Sequence, residues 1–194
     1  MAWRSALLGA VAVLAVGSVG GIATVFSGAV NVAATEPGAG PTEWLLGTAM
    51  ERSVRSRAAA VGESIVVDSA LLVHGFEHYH AMCVDCHGAP GVERGEYGQG
   101  LHPEPPDLAE GAHDWTEREL FWITKYGIRM TGMPGFGPTH SDEELWAIVA
   151  AVRRIAEMDP EAYAEMIAAG SGDHSHDQAD GDHTHAPGTP PHEH

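Results

Sequence analysis

The sequence predicts an all-α protein, a membrane-length apolar helix followed by a small helical domain. Three observations carry that expectation. The stretch from Ala6 to Val30 holds no charged residue, helix start and stop signals recur through the middle of the chain, and no alternating strand pattern interrupts them. At 194 residues there is room for one domain of ordinary size and not for a large multidomain enzyme. Hydrophobic residues make up 44% of the chain, enough for a modest core, which argues against a wholly disordered protein.

The elements follow in order. Ala6 to Val30 is mostly Ala, Val, Leu, Ile and Gly, and its 25 residues are long enough to span a bilayer as one helix. A cleaved signal would have a shorter apolar run, about 7 to 15 residues, with a cleavage site such as Ser27-Gly28-Ala29 or Val32-Ala33-Ala34. The length favours a retained anchor, assigned to residues 1–34. Residues 35–67 read as a linker with an amphipathic helix from Thr42 to Ala60, because Leu46, Met50 and Val54 recur every four residues opposite Arg52, Arg55 and Arg57. Such a helix lies on a membrane surface or serves as a plain spacer.

Residues 68–170 form the expected globular domain, with 18 acidic against 6 basic side chains. Asp114 or Thr116 opens a helix that runs through Leu120, Phe121 and Thr124 to Tyr126, where Gly127 stops it. Ser141-Asp142-Glu143-Glu144 has the form of a capping box and opens a last helix through Leu145, Ile148, Val149, Val152 and Ile155. Residues 171–194 contain no large apolar side chain, so ordering them would not be offset by burial and they are expected to be disordered. This tail holds three His-x-His pairs, His174/His176, His183/His185 and His192/His194. Interleaved with aspartates, they suit Cu(II), Ni(II) or Zn(II).

The formal charge of −17 excludes a nucleic-acid-binding surface, since acidic side chains repel phosphate. With two cysteines the chain is neither a disulfide scaffold nor a four-cysteine zinc protein. The pair stands as Cys83-Val84-Asp85-Cys86-His87, a Cys-x-x-Cys-His sequence, which is the attachment pattern of c-type haem. Thiols about one helical turn apart reach the two vinyl groups of one porphyrin, and the adjacent imidazole then meets the iron from the same side. A thioredoxin-like pair would need a βαβ setting, and a structural zinc would have to recruit His78 and His80. Neither accounts for a methionine in a Pro- and Gly-fixed loop downstream, Thr131-Gly132-Met133-Pro134-Gly135-Phe136-Gly137. A thioether is a common second axial ligand that raises the reduction potential. Met133 is the candidate, Met130 its competitor, and Met82 lies too near the proximal side.

From about Asp68 to Met158 the chain resembles the class I c-type cytochromes, small helical electron carriers built around one haem. The resemblance rests on the attachment sequence, on Gly75-Phe76-Glu77-His78-Tyr79 ahead of it, on the apolar face Leu145, Trp146 and Val149, and on Pro106-Asp107-Leu108. It implies that the first and last helices cross at Gly75 with Tyr79 and Trp146 packed there. It also implies that the Pro106 carbonyl accepts a hydrogen bond from His87, with Leu108 beside it. Trp122, Tyr126 and Arg129 are weaker candidates for contacts to the haem propionates.

One covalent haem c with both axial positions filled implies single-electron transfer and no substrate site. Attachment of that group in bacteria takes place outside the cytoplasmic membrane, which implies a single-pass inner-membrane protein with its haem domain in the periplasm. The expected partners are a dehydrogenase and a terminal oxidase, the chain acting alone or as a subunit of an oxidoreductase. The alternatives are a metal-handling accessory protein that uses the His-rich tail, and a haem-based gas sensor in which Met133 dissociates.

Overall fold

A computed structural model of the chain describes residues 2–36, 38 and 40–171. The described residues are helical, with no strand among them beyond one isolated bridge, Ala89 to Val92. Two compact units are present, divided between Leu45 and Leu46.

The first unit is dominated by α1 (Ala2–Phe26), long and apolar enough to cross a membrane. At about 1.5 Å per residue its 25 residues exceed the roughly 30 Å hydrocarbon layer. The helix ends four residues before the apolar run does, because Gly28 adopts a left-handed φ of 72° and turns the chain.

Helix α2 (Gly40–Ala58) follows, and from Leu46 onward it belongs to the second unit. There Val54 and Ala58 are buried, so this end of the helix packs against protein. Arg55 stands over the Trp115 ring, 5.8 Å from its centroid. The second unit continues with α3 (Ser69–Met82), the single turns α4 (Val84–His87), α5 (Glu96–Gln99) and α6 (Leu108–Gly111), then α7 (Glu117–Tyr126), α8 (Asp142–Ile155) and α9 (Pro160–Ser171).

Helices α3, α7, α8 and α9 each begin where the sequence supplies an acceptor for the orphaned first-turn amides. Asp68 Oδ1 accepts from Leu71 N at 2.9 Å. Thr116 rather than Asp114 caps α7, in a reciprocal box with Glu119, and Ser141 and Glu144 form the same box at α8. Asp159 Oδ1 accepts from Ala162 N at 2.8 Å and opens α9.

Helix α8 is the centre of the domain: Leu145, Trp146, Ala147, Ile148, Val149, Ala151, Val152 and Ile155 are all buried. It is packed by α3 on one side and α7 on another. Helices α3 and α8 touch backbone to backbone at Gly75, where an added Cβ would collide with Ala147 O and lie 2.5 Å from Ala147 C. Tyr79, one turn on, is fully buried and donates to Gly88 O at 2.7 Å, while the Trp146 ring stacks on Phe121 with centroids 4.3 Å apart. Arg153 ties α8 to the turn before α7 through Ala112 O (2.7 Å) and Trp115 O. Helix α9, which the sequence pattern did not announce, packs on α3 and contributes the buried Tyr163.

Candidate functional site

Helix α3 ends at Met82, and the chain immediately winds one further turn from Cys83 to His87. His87 N donates to Cys83 O at 2.8 Å and Cys86 N to the same oxygen at 3.1 Å. This winding sets the two cysteines three residues apart on one face of a turn, with His87 beside them. Gly88 closes the turn with a φ of 69°, and its carbonyl is the one held by Tyr79. The core helix thus fixes the end of the cysteine turn through a buried hydrogen bond, worth about 1 kcal/mol.

Two further glycines let a second segment lie against this turn. Gly95 N donates to Asp85 O at 2.9 Å, and a Cβ on Gly98 would lie 2.6 Å from Asp85 O and 2.8 Å from Cys86 Cα. Only a hydrogen fits at Gly98. Nothing local in the sequence marks these two glycines, because the atoms that crowd them, the Asp85 carboxylate at Gly95 and the backbone of residues 85 and 86 at Gly98, come from the cysteine turn about ten residues earlier.

His87 is buried, and its Nδ1 lies 2.8 Å from Pro106 O. A carbonyl can only accept, so Nδ1 carries the proton and the lone pair resides on Nε2. Burial lowers the His87 pKa, against the opposing pull of the Pro106 hydrogen bond, which keeps the ring neutral near pH 7. No described donor reaches Nε2, yet no buried side-chain nitrogen or oxygen among the described residues lacks a partner. Nε2 therefore opens to space. Pro106 is itself placed by the start of α6, where Asp107 Oδ1 accepts from Ala109 N at 2.8 Å, and Leu108 packs half-buried against the core.

Neither cysteine is in a disulfide. Cys83 is buried, and its thiol is pushed up to about 12 by burial and by the neighbouring Cys86. A protonated, inaccessible thiol is a poor redox nucleophile, which weighs against thioredoxin-like exchange. The zinc alternative gains no support either, as His80 Nδ1 is engaged with Tyr163 OH at 2.9 Å.

The methionine loop is positioned by backbone contacts. Phe136 N donates to Thr124 O (3.0 Å) and Gly137 N to Lys125 O (2.9 Å), laying the loop over the end of α7. Gly127, with φ 65°, has Gly135 N and Met133 O where a Cβ would be, at 2.6 and 2.7 Å. Gly132 presses on Leu101, 2.6 Å from a Cβ position to either methyl, and Leu101 N in turn reaches Gly98 O at 3.4 Å. Contacts thus run without a gap from Cys86 through Gly98 and Leu101 to the residue before Met133. Met133 is half-buried, its amide donating to Thr131 Oγ1 at 3.1 Å, whereas Met130 is 90% exposed.

Trp122 and Tyr126 pack on each other with ring centroids 5.2 Å apart, and Arg129 is exposed. The tail histidines His174, His176, His183, His185, His192 and His194 lie outside the described residues.

The donor set suits a covalently held haem: two thiols on one turn, a neutral imidazole with its lone pair opening to space, and a thioether in a loop docked nearby. Residues 70–150 match the family described as cytochrome C oxidase, cbb3-type, subunit III. No curated protein matches the chain.

Proposed function

As the domain is a class I c-type cytochrome, a haem protein of electron transport, we propose that it works as a membrane-anchored periplasmic carrier of single electrons. Cys83 and Cys86 would hold one haem c through thioether bonds, His87 and Met133 would ligate its iron, and Pro106 and Leu108 would support His87. The haem, when bound, supplies the one-electron couple. The protein's own residues set its environment. Pro106 fixes the imidazole tautomer and orientation, and a hydrogen bond of this kind also raises the basicity of the ligating nitrogen. The thioether ligand and a poorly solvated site both disfavour the more highly charged oxidised state, which raises the potential.

The observation that carries this reading is the His87–Pro106 hydrogen bond on a turn whose two cysteines are unpaired. It leaves a ligand lone pair and two thiols on one short peptide, which neither a redox disulfide nor a closed zinc site requires. Residues 1–34 are the inner-membrane anchor, 35–67 the linker, 68–170 the cytochrome domain and 171–194 the tail. Helix α1 has the length for such an anchor. A tether of this kind confines the domain near membrane-bound partners and raises its effective concentration there. The excess of acidic side chains in residues 68–170 steers basic docking surfaces toward it, on a dehydrogenase as donor and a terminal oxidase as acceptor, in a shared complex or between complexes.

Carrier and gas sensor differ in whether the thioether stays in place. With the ferrous haem-loaded protein, carbon monoxide is expected to leave the visible spectrum unchanged over minutes. A complete spectral change within the mixing time would support the sensor and contradict the carrier.

A further inference from the structure

A second group of chemistry-bearing side chains stands apart from the cysteine turn. His74 and His78 are one helical turn apart on α3, and His140 approaches from the segment between the methionine loop and α8. The His78 and His140 rings meet edge to face with centroids 5.2 Å apart, and His74 and His78 are separated by 6.4 Å. Two imidazoles that share a tetrahedral ion through bonds of about 2.0–2.1 Å hold their centroids about 5 Å apart. The first spacing is already of that size, and the second would close by rotation of the exposed His74 side chain. No three described side chains converge on one point before that rotation.

Contacts at His74 and His140 set the tautomer that a metal ligand needs. His74 Nδ1 lies 3.2 Å from Glu77 Oε2, an arrangement that puts the proton on Nδ1 and the lone pair on Nε2. Thr139 Oγ1 donates to Phe136 O at 3.2 Å and therefore accepts from His140 Nδ1 at 2.9 Å, leaving the lone pair of that ring on Nε2 as well. His78 is the central ring of the three. Glu77 and Glu144 flank it and favour a bound cation.

We propose that His74, His78 and His140 form a binding site for one divalent ion of the zinc, copper and nickel class, clamping α3 to the segment that follows the methionine loop. Three imidazoles select these borderline ions over calcium or magnesium, which take oxygen ligands. The fourth position is left for water. The site depends neither on the haem nor on the tail.

The tail histidines would mask it, so the test uses the full haem-loaded chain with His174, His176, His183, His185, His192 and His194 all changed to Ala. Titration with Zn(II) followed by calorimetry is expected to show one bound equivalent. Replacing a coordinating residue should cost more than the 10- to 100-fold typical of its outer-shell partners, so His78→Ala and His140→Ala should each weaken binding by more than about tenfold. His74→Ala, at an exposed position that leaves packing intact, is expected to weaken it as well. Exposed His113→Ala, away from the cluster, should not. No Zn(II) uptake by the tail-substituted chain would overturn the proposal, as would unchanged affinity in all three cluster variants.

Discussion

Gly75→Val is expected to abolish the native fold. The reason is the backbone contact of α3 with α8, where even one added carbon would fall against Ala147 O and 2.5 Å from Ala147 C. A flexible side chain could swing aside, but these atoms belong to the backbone of the most buried helix in the domain. Helix propensity pulls the other way, since replacing glycine inside a helix gains about 1 kcal/mol for Ala. Overpacking a core commonly costs about 1–3 kcal/mol where neighbours can adjust. Here the helices would have to separate and expose Phe76, Tyr79, Leu145 and Ile148. The steric cost wins, and for Val it approaches the whole stability of a small domain, roughly 5–15 kcal/mol. Urea unfolding followed by helical circular dichroism would show Gly75→Ala with a clearly lowered midpoint and Gly75→Val without a cooperative transition. A midpoint at or above that of the unsubstituted protein would mean that the helices do not cross in this way.

Met133→Ala should leave the fold in place and change the haem. The side chain is half-buried in a loop held by its backbone, through Thr124 O, Lys125 O and the Gly132–Leu101 contact, so truncation removes little packing. The expected result is unchanged helical circular dichroism, loss of the near-infrared sulfur-to-iron absorption of the oxidised protein, rapid carbon monoxide binding by the reduced protein and a lower reduction potential. Met130→Ala provides the contrast, as that side chain is 90% exposed on a turn with a left-handed φ of 65°. It should retain the band. Loss of the band in Met130→Ala with its retention in Met133→Ala would exchange the two assignments.

Local signals in the sequence were enough to place most helices and the cysteine turn. Thr116 and Ser141 with their partners three residues on, Gly127 at the end of α7, and the buried positions of α8 are short-range patterns whose physics acts within one or two turns. Gly75 was legible only through the resemblance, whose glycine four residues before an aromatic is matched by Gly75 and Tyr79. What escaped notice depends on contacts distant in sequence. Helix α9 is held mainly by Tyr163 meeting α3, a contact that no local pattern reveals. Gly98 matters because the backbone of residues 85 and 86 lies against it, and Gly95 because its amide meets Asp85 O and the Asp85 carboxylate lies where a Cβ would be. The inner end of α2 reads as a surface helix until Val54 and Ala58 are seen to be covered. The cluster at His74, His78 and His140 draws on two segments more than 60 residues apart, and only the His74/His78 spacing is visible in one of them.

Covalent attachment of one haem at Cys83 and Cys86 is tested most directly by the mass of the mature chain. When the protein is made together with a cytochrome c maturation system, denatured and analysed by mass spectrometry, its mass is expected to exceed that of the polypeptide by one haem. Digestion should confine the increment to the peptide spanning Cys83 to His87. A chain at the bare polypeptide mass, or haem that separates from the denatured protein in acidified acetone, would contradict it.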